Sequence, residues 1–152
     1  MTATRKNERY QRIYEQLETL ITKSPDADAR MATIVALLHH KMENFYWTGF
    51  YMLKGGELTV KTYQGPLACQ VLPKHTGVCW SGIDQHQTVI VPDVHKFKGH
   101  IACDPHAKSE IVVPLRDPDG EVIGVLDIDS DELNNFDEND AVWLEKIISL
   151  IW

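Results

Sequence analysis

Three thiols are the residues of this chain best suited to covalent chemistry: Cys69, Cys79 and Cys103, ten and then 24 positions apart. No two of them form the C-x-x-C knuckle of a structural zinc site. The histidines His75, His95, His100 and His106 are scattered around them rather than set at ligand spacing, so no bound metal is expected. Cys103 stands apart because of its approach, His95-Lys96-Phe97-Lys98-Gly99-His100-Ile101-Ala102-Cys103, which gathers two lysines and two histidines beside a thiol. Positive neighbours lower a thiol pKa and raise the thiolate fraction, as a nucleophilic or redox cysteine requires. The plainer alternative is a small buried hydrophobe in a solvated basic loop.

Two strand-like segments add polar and aromatic groups. In Trp47-Thr48-Gly49-Phe50-Tyr51 the alternation of side chains puts Trp47, Gly49 and Tyr51 on one face, two large aromatics around a glycine that leaves room for a methyl, thioether or cationic group. Core packing is the simpler use of such aromatics. By the same alternation Ile123, Val125, Asp127 and Asp129 share a face. The two carboxylates, roughly 6.6 Å apart along the strand, repel unless a cation such as a substrate ammonium, or a donor, sits between them. A solvated acidic turn is the competing use. Glu110, seven positions after Cys103, is a further acid able to protonate a leaving oxygen, or an ordinary strand-end glutamate. No phosphate-cradling glycine loop, nucleophile-elbow serine or H-E-x-x-H is present.

The elements that must position these groups follow from the periodicity. A helix is predicted over residues 8–21, where Tyr10, Ile13, Tyr14, Leu17, Leu20 and Ile21 recur at helical spacing. Ser24-Pro25-Asp26 reads as a cap, a proline at the first helical position and an early acid, opening a second helix that carries Met31, Ile34, Val35, Leu38 and Met42 inward. From Phe45 the period alternates, giving a strand to Leu53, a turn at Lys54-Gly55-Gly56-Glu57 and a second strand over 58–63. A short strand at 70–72, a helix over 77–86 and a β-type run at 88–91 follow. Residues 93–106 keep no period and read as a long functional loop. Strands at 111–115 and 121–129 flank the Asp117-Pro118-Asp119-Gly120 turn, and a helix is predicted over 137–152. The expectation is a single α+β domain spanning 1–152, with N-terminal helices (8–43), an antiparallel central sheet with active-site loops (45–130) and a C-terminal helix packed on that sheet.

Composition narrows the function classes. The 152 residues are 43% apolar, enough for a real core, and the net charge of −7 disfavours nucleic acid and anionic membrane surfaces as partners. No apolar run approaches the roughly 20 residues of a membrane span, the N-terminus lacks a signal-peptide core, and three cysteines is far below disulfide-scaffold density. A cytoplasmic protein is expected.

The stretches Trp47-Thr48-Gly49-Phe50-Tyr51, Gly65-Pro66-Leu67-Ala68-Cys69, Gly77-Val78-Cys79, Ser109-Glu110-Ile111-Val112-Val113-Pro114-Leu115 and Ile123-Gly124-Val125-Leu126-Asp127-Ile128-Asp129-Ser130 resemble those of the free methionine-(R)-sulfoxide reductases, enzymes built on a GAF fold. So does the D-V-H-x-F-x-G-H-I-A-C-D string ending at Asp104, and the resemblance runs from about residue 8 to 152. Trp80, directly after Cys79, stands where some members carry glycine. The resemblance implies that Cys103 attacks the sulfoxide sulfur, that Glu110, with Asp127 or Asp129, protonates the departing oxygen, and that a sulfenic acid forms on Cys103. It further implies Cys69 as the usual resolving partner, Cys79 as an additional or alternative one, and a disulfide reduced by thioredoxin with thioredoxin reductase and NADPH. Trp47 and Tyr51 would hold the methyl-sulfinyl end, and Asp127 and Asp129 the free ammonium. No bound cofactor and a homodimer are implied. The rival expectation is a GAF-type small-molecule or redox sensor without catalysis, because fold alone does not fix function.

Overall fold

The computed structural model describes residues 2–100 and 103–152. Its first helix, α1 (Ala3–Ile21), starts earlier than the apolar period indicates, because the Thr2 hydroxyl accepts from the Arg5 amide at 3.2 Å and caps a polar first turn. The second, α2 (Ala27–Lys41), starts two residues later than the Ser24-Pro25 reading. Asp26 is the cap, accepting from the Ala29 amide at 3.1 Å, while the Ser24 hydroxyl accepts from the Asp26 amide at 3.1 Å and shapes the approach.

Six strands follow: β1 (Trp47–Lys54), β2 (Glu57–Gln64), β3 (Val71–Leu72), β4 (Val89–Val91), β5 (Ser109–Arg116) and β6 (Val122–Ser130), with α3 (Gly77–Gln85) between β3 and β4. They form one antiparallel sheet in the order β3-β2-β1-β6-β5-β4. The last helix, α4 (Glu138–Ile148), tightens into a 3-10 turn at Ser149–Ile151 instead of running on as α-helix. The Ser149 hydroxyl donates to the Lys146 carbonyl at 2.6 Å, and the Arg30 guanidinium donates to the Leu150 carbonyl at 3.2 Å, satisfying terminal acceptors. No helix among the described residues is long and apolar enough to cross a membrane.

Alternation splits the sheet into two faces. Phe50, Ile111, Val113, Leu126 and Ile128 pack on α1, α2 and α4 in the larger core. Trp47, Tyr51, Val112 and Val125 face the other way, onto α3 and its flanking loops. At Gly82 a Cβ would lie 2.8 Å from Val112 Cγ1, so glycine is what lets α3 approach β5 this closely. The expectation that Ile123 shares the face of Val125 does not hold. Leu115 pairs with Gly124 and Arg116 with Val122, which makes Ile123 the extra residue of a bulge and turns it to the helix face.

The terminal helices are locked through Asp140, which is 1% exposed. Its carboxylate accepts from Tyr10 Oη (2.6 Å), Lys6 Nζ (2.7 Å) and the Asp137 amide (2.8 Å), the last closing a capping box on α4. Asp140→Asn keeps the shape but loses the charge opposite Lys6 and places a donor against donors. It is expected to cost about 1–3 kcal/mol, read as a lower urea midpoint at unchanged slope.

Candidate functional site

The α3 face of the sheet carries the chemistry. Register fixes which side chains meet: Trp47 opposes Asp129, Gly49 opposes Asp127, and Glu110 opposes Asp129. Residues directly opposite in an antiparallel ladder share a face. The carboxylates of β5 and β6 therefore lie beside the aromatics of β1, under α3. A small cavity of about 60 Å³ is lined by Trp47, Tyr51, Cys79, Cys103, Glu110, Asp127 and Asp129, with His100 and Asp104 at its loop side.

Over this cavity Cys69, from the loop after β2, is disulfide-bonded to Cys103, from the loop before β5, with their Cα atoms 5.6 Å apart. Cys79 is a free, buried thiol. Tyr51 Oη donates to the Cys69 carbonyl at 2.8 Å, so the phenol holds the cysteine loop while its ring faces the cavity. Asp104, next to Cys103, accepts from the His106 amide at 2.8 Å and from Tyr46 Oη at 3.2 Å. These bonds, led by that from the His106 amide, hold the Asp104 carboxyl below its usual range.

Two sequence expectations change here. The space over Gly49 is not open: Trp47 stacks on Tyr63 of β2 with centroids 5.2 Å apart, and a Cβ on Gly49 would lie 2.6 Å from Trp47 Cη2 and 2.9 Å from the Thr62 carbonyl oxygen. The glycine lets the indole lie across the strand, and the pocket wall is the indole itself. The expected cluster of cations at Cys103 also thins out. His95, Lys96 and Lys98 are exposed, and of the basic residues only His100 lines the cavity. Burial and then His95 lower the His100 pKa, which favours its neutral form. Ile101 and Ala102, within the loop singled out as functional, lie outside the described residues.

The acids are tightly coupled. Burial, then the charges of Asp127 and Asp129 and hydrogen bonding toward them, raise the Glu110 carboxyl well above its usual range. The donor expected between two repelling carboxylates is thus the proton on Glu110. Burial raises the Asp127 carboxyl, against the hydrogen bonds from Glu110 and Cys79, and burial raises Asp129 well above the ordinary range. Burial and then the carboxylates of Asp127, Glu110 and Asp129 push the Cys79 thiol up, which keeps it protonated and a poor nucleophile. Two buried polar atoms of the cavity wall have no hydrogen-bond partner among the described residues: Trp47 Nε1, a donor, and Asp127 Oδ1, an acceptor. A zwitterionic ligand with an ammonium and anionic oxygens supplies what each lacks.

Raised carboxyl pKa values work against folding at neutral pH. Their contribution to stability is present below the unfolded carboxyl pKa and is lost as pH rises through the folded values. Glu110→Gln, a neutral amide able to donate to both aspartates, is expected to add about 1 kcal/mol of stability at pH 7 and to lower activity. The gain is expected to vanish toward pH 4. Thermal unfolding followed from pH 4 to pH 8 checks it, with a rise in Tm of about 2–4 °C at the neutral end.

Comparison with known proteins places this geometry. The GAF domain family matches residues 24–152. GAF domain-containing protein A of Dictyostelium discoideum is 46% identical over 96% of this chain and 92% of its own length. Free methionine-R-sulfoxide reductase of Escherichia coli is 35% identical over 95% of this chain and 87% of its own length. The solved structure of free methionine-R-sulfoxide reductase from Neisseria meningitidis, in complex with its substrate, is 38% identical and superposes with a TM-score of 0.92 over 99% of this chain and 90% of that one. The chain belongs to the free methionine-R-sulfoxide reductase family, on a GAF fold.

Within that family frame, the structure gathers Trp47, Tyr51, Cys79, Cys103, Glu110, Asp127 and Asp129 around one cavity and cross-links Cys69 to Cys103 above it. Sequence reasoning missed Tyr46, Tyr63 and Asp104. Only the D-x-H spacing of Asp104 and His106, which suits a side chain closing a turn on the amide two residues on, carried a local signal. Trp80, the departure beside Cys79, is buried, donates from Nε1 to the Leu72 carbonyl at 3.2 Å and lies against His75. It anchors α3 to β3.

Proposed function

We propose that this protein reduces free L-methionine-(R)-sulfoxide to L-methionine, with Cys103 as the attacking thiol. The observation that carries the reading is the group of three acids, Glu110, Asp127 and Asp129, with an Asp127 oxygen unpartnered among the described residues, in the same cavity as Cys103. The Asp127 oxygen and Asp129 take the substrate ammonium, and the Trp47 indole lies against the methyl-sulfinyl end. Cys103 thiolate attacks the sulfoxide sulfur while Glu110, held protonated by burial and its neighbours, delivers a proton to the sulfoxide oxygen. In the resulting adduct the hydroxyl passes from the methionine sulfur to Cys103 Sγ as the transient sulfur–sulfur bond opens, so that methionine departs and Cys103, oxidised by two electrons, is left as a sulfenic acid. The Cys69 thiol then displaces that oxygen as water, forming the Cys69–Cys103 disulfide. A dithiol of the thioredoxin class, itself fed by NADPH through its reductase, takes up the disulfide by exchange and restores both thiols. A homodimer in the cytoplasm belongs to the same proposal, and light scattering on the purified protein measures the assembly.

The reading is tested by thioredoxin-coupled oxidation of NADPH with separated R and S sulfoxides. Consumption of the free R isomer alone supports it, and consumption of neither removes it. Intact mass after substrate without reductant reports the second step: a loss of two hydrogens marks the disulfide, whereas an added oxygen means that Cys69 does not resolve the sulfenic acid.

A further inference from the structure

Cys79 takes no part in the cross-link, yet its thiol lies among the most polar groups of the interior. Its Sγ and one carboxylate oxygen each from Glu110 and Asp127 lie within 4.8 Å of one another, and all three residues are buried. Asp127 is 5% exposed and its Oδ1 has no hydrogen-bond partner among the described residues, so the cluster contains an acceptor that none of them satisfies. A buried carboxylate oxygen left in that condition is costly unless a cation or donor reaches it.

We infer that this cluster is a site for a divalent thiophilic cation of the zinc class, bound by Cys79 Sγ, Glu110 and Asp127, with Asp129 or solvent in the fourth position. A tetrahedral ion with a sulfur ligand at about 2.3 Å and oxygen ligands at about 2.1 Å separates its ligand atoms by roughly 3.4–3.6 Å. Donor atoms no more than 4.8 Å apart are within about 1.2 Å of that spacing at the widest pair. One thiolate with two carboxylates suits zinc or cobalt. Magnesium and calcium take oxygen ligands alone. The histidines stay out of the cluster: His75, His95 and His106 pair with Asp84, Asp93 and Asp104.

Coordination moves no electrons. The metal–sulfur and metal–oxygen bonds replace the thiol proton and the proton shared among the carboxyls, and both protons pass to solvent. The ion then occupies the place given above to the substrate ammonium, so zinc would exclude substrate. That last consequence rests on the proposed function, whereas the metal site itself does not.

The test uses the full chain, freed of metal with a chelator and oxidised so that Cys69 and Cys103 are cross-linked and Cys79 is the sole thiol. Titration with Co²⁺ is expected to give a thiolate-to-cobalt charge-transfer band that saturates at one equivalent and is bleached by Zn²⁺. Cys79→Ser is expected to lose the band, and the isosteric Glu110→Gln and Asp127→Asn to weaken binding tenfold or more, each with an unchanged circular dichroism spectrum. The inference is overturned by the absence of a band, by a band that survives Cys79→Ser, or by unchanged affinity in both carboxamide variants. Repeating the titration on Cys69→Ser/Cys103→Ser with free methionine present separates the two readings. Displacement of cobalt supports both; a cobalt site untouched by methionine keeps the metal inference and removes the amine from the cluster.

Discussion

Cys103→Ser is expected to take turnover of free methionine-(R)-sulfoxide below detection, a loss of at least about 10⁴-fold in kcat. A serine hydroxyl is not ionised near neutral pH, and no sulfenic acid can form on it. The other thiols cannot substitute: Cys79 is held protonated by burial and three carboxyls, and Cys69 is not among the residues that line the cavity. Binding should persist, because the groups assigned to the substrate ammonium and methyl lie on β1 and β6 rather than on the cysteine loop. Calorimetry with the variant checks this, with a Kd within about threefold of the parent protein. Cys69→Ser gives the contrasting result, one turnover per chain and then a stalled sulfenic acid seen as one added oxygen. Activity near the parent level in Cys103→Ser would remove Cys103 as the attacking group.

The second large effect lies on the substrate. N-acetyl-methionine-(R)-sulfoxide is expected to react with a kcat/KM on the order of 10³-fold below that of the free amino acid. Acylation removes the positive charge that Asp127 Oδ1 lacks and leaves a single neutral donor in a site dense with carboxyls. The same reasoning explains why a residue inside a peptide would be refused, since its nitrogen is likewise uncharged. Asp127→Asn sharpens the measurement: activity on the free substrate should fall while activity on the acetylated one stays low, so the ratio between them shrinks. Equal rates on the two substrates in the parent enzyme would remove the ammonium contact.

Period-two alternation was enough to put Trp47 with Tyr51 and Asp127 with Asp129 on common faces, because the strands carrying them are regular over those stretches. It failed at Ile123, where a bulge inserts a residue that no local pattern announces. The place of Glu110 opposite Asp129 follows from the pairing of β5 with β6, a non-local property that single-strand patterns do not contain. Gly49 marks a further limit. A missing side chain suggests space only until the neighbouring strand is known, and here Tyr63 of β2 and the Trp47 indole fill it. The lysines before Cys103 show the matching error in electrostatics, since adjacency along the chain did not direct Lys96 or Lys98 toward the cavity. Helix ends moved for the same reason that caps exist: one hydroxyl or carboxylate reaching an amide, as at Thr2 and Asp26, outweighs where the apolar stripe happens to begin.

The cross-link between Cys69 and Cys103 closes 34 positions of chain, including β3, α3 and β4. Tying off a loop of that length removes conformational freedom from the unfolded ensemble, in the chain-entropy view by about 4 kcal/mol at 25 °C. In the cycle proposed above, the protein alternates at every turnover between a looser and a more tightly tethered chain. Its resistance to unfolding thereby becomes a function of reductant supply. When oxidant outpaces reductant, the idle enzyme collects in the tethered form, the one that opens least often to proteases and refolds from the smallest set of conformations.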